Sequence, residues 1–282
     1  MIPYIVYSHS EFLDALLTQT YYLKSYDNKI LLINKSDEDL TDLYSNYEQV
    51  VFYDDKLPYA SRLLSLSELN LDYALFIHDI DVVINRDDSI IEHLLEKMME
   101  LGMDRVDLQY QNIRRTHNTT GELIDIELKP TGNTTLQMPF WWENSEDLRF
   151  YLTKQDDVNH YIYNVNPSIW KISTFMEVMS EFKNETYRSI EGPLTQEFCK
   201  RYSIYKLYGP HILCGGMGCL PFFQFIHITH GGKLLPLVGH NLDESLVDTY
   251  KFMIKKFSLD KNREFQDRNY EHYWVGPIRE QR

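Results

Sequence analysis

Four short apolar segments, separated by helix-like segments, restrict what the first hundred residues can fold into. Each apolar segment has the length of a strand and is too short for a typical helix. The four segments are Ile2–Tyr7, Lys29–Asn34, Glu48–Tyr53 and Tyr73–His78. Strands that are apolar on both faces and alternate with helices are typical of a parallel sheet covered on both sides. The pattern therefore predicts an α/β fold with a mostly parallel central sheet flanked by helices.

The helices are indicated by apolar residues at helical spacing and by capping residues. Ser8 and Glu11 have the spacing of a capping box, which makes Ser8 the expected N-cap of the first helix. In a later helix, Asn166 is the expected N-cap and Pro167 the first helical residue. This later helix is predicted at Asn166–Phe182. Four other helices are predicted at Asp37–Tyr47, Tyr59–Leu69, Ser89–Leu101 and Glu244–Phe257.

The second half of the chain is less regular than the first. Between Arg105 and Asn159 the alternation is weak and turn residues cluster, which predicts short strands and a mobile loop from about 114 to 144. A further strand is expected at Phe222–Thr229. Because no linker or internal repeat interrupts the pattern, we expect a single domain over residues 1–282.

Composition excludes some classes of partner. The formal net charge of −14 argues against broad electrostatic binding to nucleic acid or to anionic lipid. We find no signal segment and no apolar run of about 18 residues, so we expect a soluble, cytoplasmic protein. The three cysteines are too few for a disulfide framework, and we expect free thiols. The 21 tyrosines suit the apolar faces of sugars, although surface tyrosines are also common without such a role.

Asp79 and Asp81 directly follow the fourth predicted strand. Open α/β sheets bind their ligands at the carboxyl ends of the strands. In an extended segment, residues i and i+2 point to the same side, so the two carboxylates can converge on one site. Paired carboxylates suit Mg²⁺ or Mn²⁺, which can bridge to a diphosphate. The alternative is a polar strand end whose carboxylates are solvated.

The strand order and the Asp-x-Asp motif resemble glycosyltransferases of the GT-A fold, a Rossmann-like fold of nucleotide-diphospho-sugar transferases. "YNVNPSIWKIS" (Tyr163–Ser173) and "SIEGPLTQEF" (Ser189–Phe198) are similar to segments of viral and bacterial capsule-type glycosyltransferases. The resemblance covers the chain loosely, and only the Asp-x-Asp and Pro-Ser-Ile-Trp segments are specific. It implies a nucleotide-sugar-binding half, residues 1–104, and an acceptor-binding half, residues 105–282.

The resemblance also implies a metal site at the donor diphosphate. His227 would join Asp79 and Asp81 around Mn²⁺ or Mg²⁺, and His230 is an alternative to His227. Lys233, six residues after His227, would contact the diphosphate. This assignment is chemically sound because imidazole suits Mn²⁺ and an ammonium group offsets the charge of the leaving diphosphate.

Three further residues are assigned to donor binding. Tyr59 and Arg62, in the predicted helix before Asp79, resemble positions that contact the nucleotide or its phosphates. His9, after the first strand, would lie beneath the nucleobase, because the first strand–helix loop borders that pocket in such folds. The alternative for Arg62 is a solvated position on the helix surface.

Glu191 is the expected catalytic base. It precedes Gly192-Pro193, a turn that can direct a carboxylate into a cleft, and the similar segment supplies the catalytic carboxylate in the glycosyltransferases. Glu197 is the alternative. The expected reaction is metal-dependent transfer of a sugar from a nucleotide-diphosphate sugar, UDP-sugar favoured, to a glycan or other hydroxyl acceptor with inversion. A retaining course is expected instead if Glu191 is out of reach of the anomeric carbon.

Two other classes of function are compatible with the motif. In a haloacid-dehalogenase-type phosphatase, Asp79 would be the phosphoryl nucleophile, but such motifs usually follow the first strand and here three strands come first. A catalytically inactive sugar-binding or scaffold protein would keep the fold without the activity. Release of nucleoside diphosphate from a sugar nucleotide, dependent on Mn²⁺, would separate all three.

Overall fold

The computed structural model describes residues 1–110, 114–116, 123–125, 135–136, 150–154, 164, 166–191, 201–208, 212–214, 217–220, 222–235 and 242–265. Its strands are, in chain order, β1 (Tyr4–Tyr7), β2 (Lys29–Asn34), β3 (Gln49–Tyr53), β4 (Tyr73–His78), β5 (Asp81–Arg86), β6 (Arg105–Asp107), β7 (Gln109–Tyr110), β8 (Arg114–Thr116), β9 (Leu123–Asp125), β10 (Thr135–Leu136), β11 (Phe150–Lys154), β12 (Ser168–Lys171), β13 (Ile204–Tyr208), β14 (Ile212–Cys214), β15 (Met217–Cys219), β16 (Phe223–His227), β17 (Thr229–His230) and β18 (Lys233–Leu234).

The helices alternate with the strands mainly in the first half of the chain. They are α1 (Leu13–Tyr22), α2 (Thr41–Tyr44), α3 (Tyr59–Leu63), α4 (Asp88–Leu101), α5 (Ile172–Glu181), α6 (Tyr187–Ile190), α7 (Glu244–Phe257) and α8 (Leu259–Asn262). Two 3₁₀ turns, Ser10–Phe12 and Leu64–Glu68, precede α1 and follow α3. Within the described residues, no helix is long and apolar enough to cross a membrane.

Nine of the described strands form one sheet in the order β10-β11-β13-β6-β12-β4-β1-β2-β3. β1, β2, β3 and β4 are mutually parallel. β12 runs antiparallel between β4 and β6, and β13 is parallel to β6. The prediction of an α/β fold with a mostly parallel central sheet is therefore confirmed. The carboxyl ends of β1 to β4, β6 and β13 share one edge of the sheet, which we call the carboxyl edge.

Apolar side chains cover both faces of this sheet. Val6 and Ile77 belong to a buried cluster on one face together with side chains of α1, α4 and α7. Ile5 and Phe76, their neighbours in sequence, belong to a second buried cluster with side chains of α3 and α5. Successive residues of a strand point to opposite faces, so both parities must be apolar when both faces are covered. This explains why the strands appear in the sequence as unbroken apolar runs.

The helix predicted from Asn166 is wrong in its first part. Ser168–Lys171 is the strand β12, and the helix α5 begins only at Ile172. Ile169 and Trp170 are fully buried, one in each of the two core clusters. A β-branched and an aromatic residue on opposite faces suit a central strand, and this burial overrides the local helix-start signal of Asn166 and Pro167.

The start of the first helical segment also differs from the prediction. His9 and not Ser8 is the N-cap, because His9 Nδ1 accepts a hydrogen bond from the Glu11 amide at 3.1 Å. The Ser8 hydroxyl instead donates to Asp79 Oδ2 at 2.6 Å. The Ser8 side chain, which the local pattern assigned to capping, is thus used in a tertiary contact between the ends of β1 and β4.

Other bounds and the cysteines show further differences. The helix predicted at Asp37–Tyr47 shortens to α2, whereas the helix predicted at Glu244–Phe257 is confirmed at both ends. Cys219 is disulfide-bonded, so the expectation of three free thiols is wrong for this residue. Spacing along the chain could not show this, because the fold decides which sulfurs meet. The expected mobile loop lies outside the described residues apart from the short strands β8, β9 and β10.

Candidate functional site

The Asp79-Ile80-Asp81 segment is a turn and not a continuous strand. β4 ends at His78, and β5 begins at Asp81 after a two-residue turn. The Asp79 amide donates to Tyr7 O at 3.0 Å, which holds Asp79 beside the end of β1. β5 leaves the large sheet and pairs with β16. The two carboxylates therefore have different neighbours, whereas an extended segment would have directed both to one side.

Asp79 is buried at the carboxyl edge. Burial raises the pKa of its carboxyl group from 3.8 to about 7, although the hydrogen bond from Ser8 and the positive charge of Arg263 act in the opposite direction. In the metal-free protein this group is therefore divided between its neutral and ionised forms near neutral pH. A cation bound nearby would favour the ionised form.

Asp81 and His227 form a buried pair. They are opposite each other in the register of β5 and β16, and His227 Nδ1 lies 2.7 Å from Asp81 Oδ1. Their side chains are 0% and 5% exposed. Burial raises the pKa of Asp81, and the nearby His227 opposes that shift. The structure thus brings together two of the three predicted metal ligands, and it places His227 and not His230 against Asp81.

Each member of this pair keeps one buried polar atom that has no hydrogen-bond partner, Asp81 Oδ2 and His227 Nε2. Buried polar atoms without a partner are uncommon in folded proteins and require a reason. With Nδ1 as the donor to Asp81, Nε2 carries a lone pair. A carboxylate oxygen and an imidazole nitrogen are suitable ligands for Mn²⁺. The pair therefore fits a divalent cation.

The complete set of Asp79, Asp81 and His227 is not assembled as a cage. Among the residues that the structure describes, no three or more His, Cys, Asp or Glu side chains are grouped so that they could hold a metal ion. Asp79 Oδ2 is engaged by Ser8. A cation at Asp81 and His227 would complete its shell with water or with oxygens of a bound diphosphate, as Mg²⁺ commonly does.

His78 is a polar residue at this edge that the sequence analysis did not select. It ends β4, it is buried, and its Nε2 lies 2.8 Å from the hydroxyl of Tyr59. Burial, with a smaller contribution from His227, lowers the pKa of His78 to about 3, so the ring is neutral near pH 7. The available signal was a histidine at the end of an apolar strand. Tyr59 thus contacts His78, the residue that directly precedes Asp79.

Arg62 and His9 both lie near the loop that follows β3. Arg62 Nε donates to Leu57 O at 2.8 Å, and Nη2 donates to Asp55 O at 2.5 Å. The guanidinium carbon is 5.6 Å from the centroid of the Tyr53 ring. His9 Nε2 lies 3.9 Å from Asp55 Oδ2. Arg62 therefore holds the loop through two carbonyl groups, and His9 lies where β1 and β3 end.

Lys233 lies in the hairpin formed by β17 and β18. Gly231 and Gly232 form its two-residue turn with φ values of 57° and 78°, which favour glycine because a side chain is strained there. Lys233 is exposed and its Nζ lies 3.4 Å from Glu264 Oε2. It is opposite His230 in the hairpin register. The predicted phosphate contact is thus an exposed ammonium group on a short hairpin.

Arg263 is a second cation near this hairpin, and the sequence analysis missed it. Its Nε and Nη2 donate to Asp14 Oδ2 at 2.9 Å and to Asp14 Oδ1 at 2.7 Å. Its guanidinium carbon lies 4.8 Å from the centroid of the Phe12 ring. The Leu234 amide donates to Glu264 O, which attaches this segment to β18. Asp14 and Arg263 are 249 positions apart, so no local pattern could have paired them.

Glu191 lies at the C-terminal end of α6 and is half-buried. Its amide donates to Tyr187 O at 3.1 Å. The Tyr187 ring is 5.9 Å from the Tyr59 ring, and Tyr59 contacts His78. This chain of contacts places α6 beside the end of β4. Gly192, Pro193 and the alternative base Glu197 lie outside the described residues.

A second buried polar cluster lies at the carboxyl edge, at the end of β6. Asp107 is 0% exposed and accepts hydrogen bonds from Asn164 Nδ2 at 2.9 Å and from the Gln109 amide at 3.0 Å. Lys206 Nζ and Arg105 Nη2 lie 3.9 Å and 3.7 Å from Asp107 Oδ2. These contacts hold β6, β13 and the start of β12 together. They were not predicted as site residues.

Comparison with known proteins finds distant structural similarity. No protein-family model matches the chain, and no curated protein matches it. The bifunctional IspDF from Campylobacter jejuni is 12% identical with a TM-score of 0.40, over 74% of this chain and 50% of that chain. Apo-UDP-glucose pyrophosphorylase is 12% identical with a TM-score of 0.38, over 74% of this chain and 92% of that chain. S. aureus TarS 1-349 is 12% identical with a TM-score of 0.39, over 74% of this chain and 60% of that chain.

The chain thus spans about half the length of IspDF. Similarity at this level carries no argument about activity. The carboxyl edge and its buried polar groups are the features of this chain that bear on function.

Proposed function

We propose that the chain is a metal-dependent glycosyltransferase that transfers a sugar from a nucleotide-diphosphate donor to an acceptor hydroxyl. The observation that carries this proposal is the buried Asp81–His227 pair, whose two remaining polar atoms have no partner. The pair lies next to the end of β4, where open α/β sheets bind their ligands. A donor that brings a cation and phosphate oxygens would satisfy both atoms.

Asp81 and His227 would hold the cation, Mn²⁺ or Mg²⁺. Asp79, which follows β4 and lies beside the end of β1, would be close to it. When bound, the metal supplies positive charge that stabilises the leaving nucleoside diphosphate. Lys233 would add charge from its exposed hairpin, and Arg62 would keep the loop after β3 in place for the nucleotide. His9, after the end of β1, and Tyr59, at the start of α3, would border the nucleotide. UDP is the favoured nucleotide.

Glu191 would act as the general base in an inverting transfer. The acceptor hydroxyl would give its proton to the Glu191 carboxylate while its oxygen forms a bond to the anomeric carbon and the bond to the diphosphate breaks. The contacts of Tyr187 with Tyr59 support a position of this segment near the end of β4. A glycan hydroxyl is the proposed acceptor.

The phosphatase alternative needs an ionised, accessible Asp79 as nucleophile. Asp79 is 5% exposed, it is engaged by Ser8, and its pKa is raised to about 7. These features weaken nucleophilic attack by this carboxylate. They support the glycosyltransferase proposal over the phosphatase.

The experiment measures donor binding and hydrolysis of UDP-sugars in Mn²⁺ and in EDTA, by calorimetry and by release of UDP. We expect binding and release in Mn²⁺ only, and a loss of both in Asp81→Asn. Asp39→Asn, which removes an exposed carboxylate whose hydrogen bonds come from Thr41, is the matched control and should behave as wild type. Equal donor affinity in Mn²⁺ and in EDTA would contradict the metal role. Metal-dependent binding without any release of UDP would favour the inactive sugar-binding protein.

A further inference from the structure

Three large apolar side chains remain uncovered where α1 and α7 pack together. Leu17, Tyr21 and Phe252 are 46%, 42% and 45% exposed. Leu17 and Tyr21 are four residues apart on α1, so they lie on the same side of that helix. The rings of Tyr21 and Phe252 have their centroids 6.2 Å apart and join the two helices. Clustered exposed apolar side chains commonly mark an interaction surface.

Lysines surround these apolar side chains. Residues 248–262 contain four lysines, Lys251, Lys255, Lys256 and Lys261, and two acidic residues, Asp248 and Asp260, in a chain whose net charge is −14. Lys251 Nζ lies 3.3 Å from Asp248 Oδ1, and Lys255, Lys256 and Lys261 add further positive charge. Lys256 Nζ lies 3.8 Å from the centroid of the Tyr21 ring and 5.3 Å from that of Phe252. All four lysines are exposed. We call Leu17, Tyr21, Phe252, Lys251, Lys255 and Lys256 the α1–α7 surface.

The lysines continue into a shallow cavity of about 340 Å³ at the C-terminal end of α7. Lys251, Lys255 and Lys261 line it together with Ile254, Ser258 and Asp260. With three ammonium groups, one carboxylate and an apolar wall, the cavity keeps a net positive lining, which suits an anionic group that is attached to an apolar body. This is the same combination of charge and apolar area as on the neighbouring α1–α7 surface.

The chemistry of this surface fits an anionic lipid bilayer better than a soluble polyanion. Aromatic side chains with lysines beside them suit the boundary between lipid headgroups and acyl chains, and each lysine near an anionic leaflet adds attraction. A nucleic acid would use the charge but not the exposed Leu17 and Phe252. The net charge of −14 opposes broad binding to anionic lipid, so attraction must be local, as the position of the four lysines provides.

The surface is held rigidly, and its α1 part lies away from the carboxyl edge. On α7, the buried side chains Leu246, Tyr250 and Met253 attach the helix to the core. α1 connects the parallel strands β1 and β2, so it runs back from the carboxyl edge and ends near their amino ends. Tyr21 is in its last turn. A partner bound at Leu17 and Tyr21 would therefore lie at the end of α1 that is remote from the carboxyl edge.

We propose that the α1–α7 surface docks the protein on the surface of an anionic membrane. Phe252, Tyr21 and Leu17 enter the headgroup region, and the lysines contact lipid phosphates. The inference stands on the surface alone and does not require the proposed glycosyltransferase activity.

The test is co-sedimentation of the full chain with phosphatidylcholine vesicles, with and without phosphatidylglycerol. We expect binding only to the vesicles that contain phosphatidylglycerol, with weaker binding at higher salt. Lys255→Glu combined with Lys256→Glu should weaken binding by at least about tenfold. Phe252→Ser should weaken it while leaving the charge unchanged. Circular dichroism would check that each variant is folded. We expect folded variants, because the substituted positions are exposed.

The matched control is Lys35→Glu combined with Lys183→Glu, which changes the net charge by the same amount at two exposed lysines elsewhere. It should keep most of the binding. The proposal is wrong if the full chain binds neither vesicle or both equally, or if the control loses as much as the test variant. Concentration-dependent self-association that Phe252→Ser abolishes, without any vesicle binding, would assign the surface to a second copy of the chain.

Discussion

The buried carboxyl of Asp79 should make the metal-free protein less stable as pH rises, and Asp79→Asn should remove this effect. Burial raises the pKa of this group from 3.8 to about 7 in the folded protein. In the unfolded chain the group keeps its ordinary pKa. Between these two values the unfolded chain has lost the proton that the folded chain still holds, so the free energy of unfolding falls as pH increases.

The size of the effect follows from the pKa difference of about 3 units. At about 1.36 kcal/mol per unit, the full difference is on the order of 4 kcal/mol, and about 2 kcal/mol of it falls between about pH 5.5 and about pH 8. Asparagine does not titrate, and its side-chain oxygen can still accept the hydrogen bond from Ser8. Relative to wild type, the free energy of unfolding of Asp79→Asn should therefore rise by about 2 kcal/mol as the pH increases over this range. His78 and Asp81 titrate in both proteins, so their contributions cancel in the comparison.

The assay is urea unfolding in EDTA at the two pH values, followed by circular dichroism, with Asp39→Asn as the control. Asp39 is exposed, and the pKa of its carboxyl is lowered by hydrogen bonds from Thr41, so its replacement should not produce a gain at the higher pH. A difference between Asp79→Asn and wild type that does not change with pH would refute the reasoning. It would mean that Asp79 is ionised in the folded protein throughout this range.

Three further predictions concern the metal, the base and the C-terminal ion pair. Mn²⁺ at about 100 times its Kd should stabilise wild type by about 2.7 kcal/mol, which raises the Tm by about 5 °C, and this gain should vanish in Asp81→Asn. An equal Tm in Mn²⁺ and in EDTA would contradict the metal site. Glu191→Gln should lower turnover by about 10²- to 10⁴-fold with donor affinity unchanged in calorimetry, and near wild-type turnover would place the base elsewhere. Arg263→Gln leaves Asp14 buried without its partner and should cost about 3–5 kcal/mol in urea unfolding, whereas adding Asp14→Asn should recover part of that loss; simple additivity of the two changes would argue against the pair.

Much of the sheet could be predicted because it depends on patterns that are local in sequence. β2 and β4 have the predicted bounds, and β1 and β3 differ by one or two residues. A strand buried on both faces must be apolar throughout, and such a run is visible without knowledge of its partners. β12 was missed because its Asn166-Pro167 start is also a helix-start signal. Only its place between β4 and β6 decides between the two.

The candidate site was predicted in its residue types but not in its geometry. Asp79, Asp81 and His227 all lie near the carboxyl edge, as expected from their positions at or just after the ends of apolar strands. The turn at Asp79 separates the two carboxylates, however, and only Asp81 meets His227. His78 was missed although it is adjacent to Asp79, because a histidine at a strand end carries no specific signal.

The sequence by itself determined the four strands of the parallel part of the sheet and the helices α4 and α7, and that acidic residues stand where the fourth strand ends. It could do so because burial and periodicity are properties of neighbouring residues. Only the tertiary structure decided that Ser8 contacts Asp79, that Asp81 pairs with His227 across 146 positions, and that Arg263 pairs with Asp14. Such contacts depend on strand register and chain crossings, and they take side chains away from their local roles, because a buried polar group must find a partner wherever the fold places one.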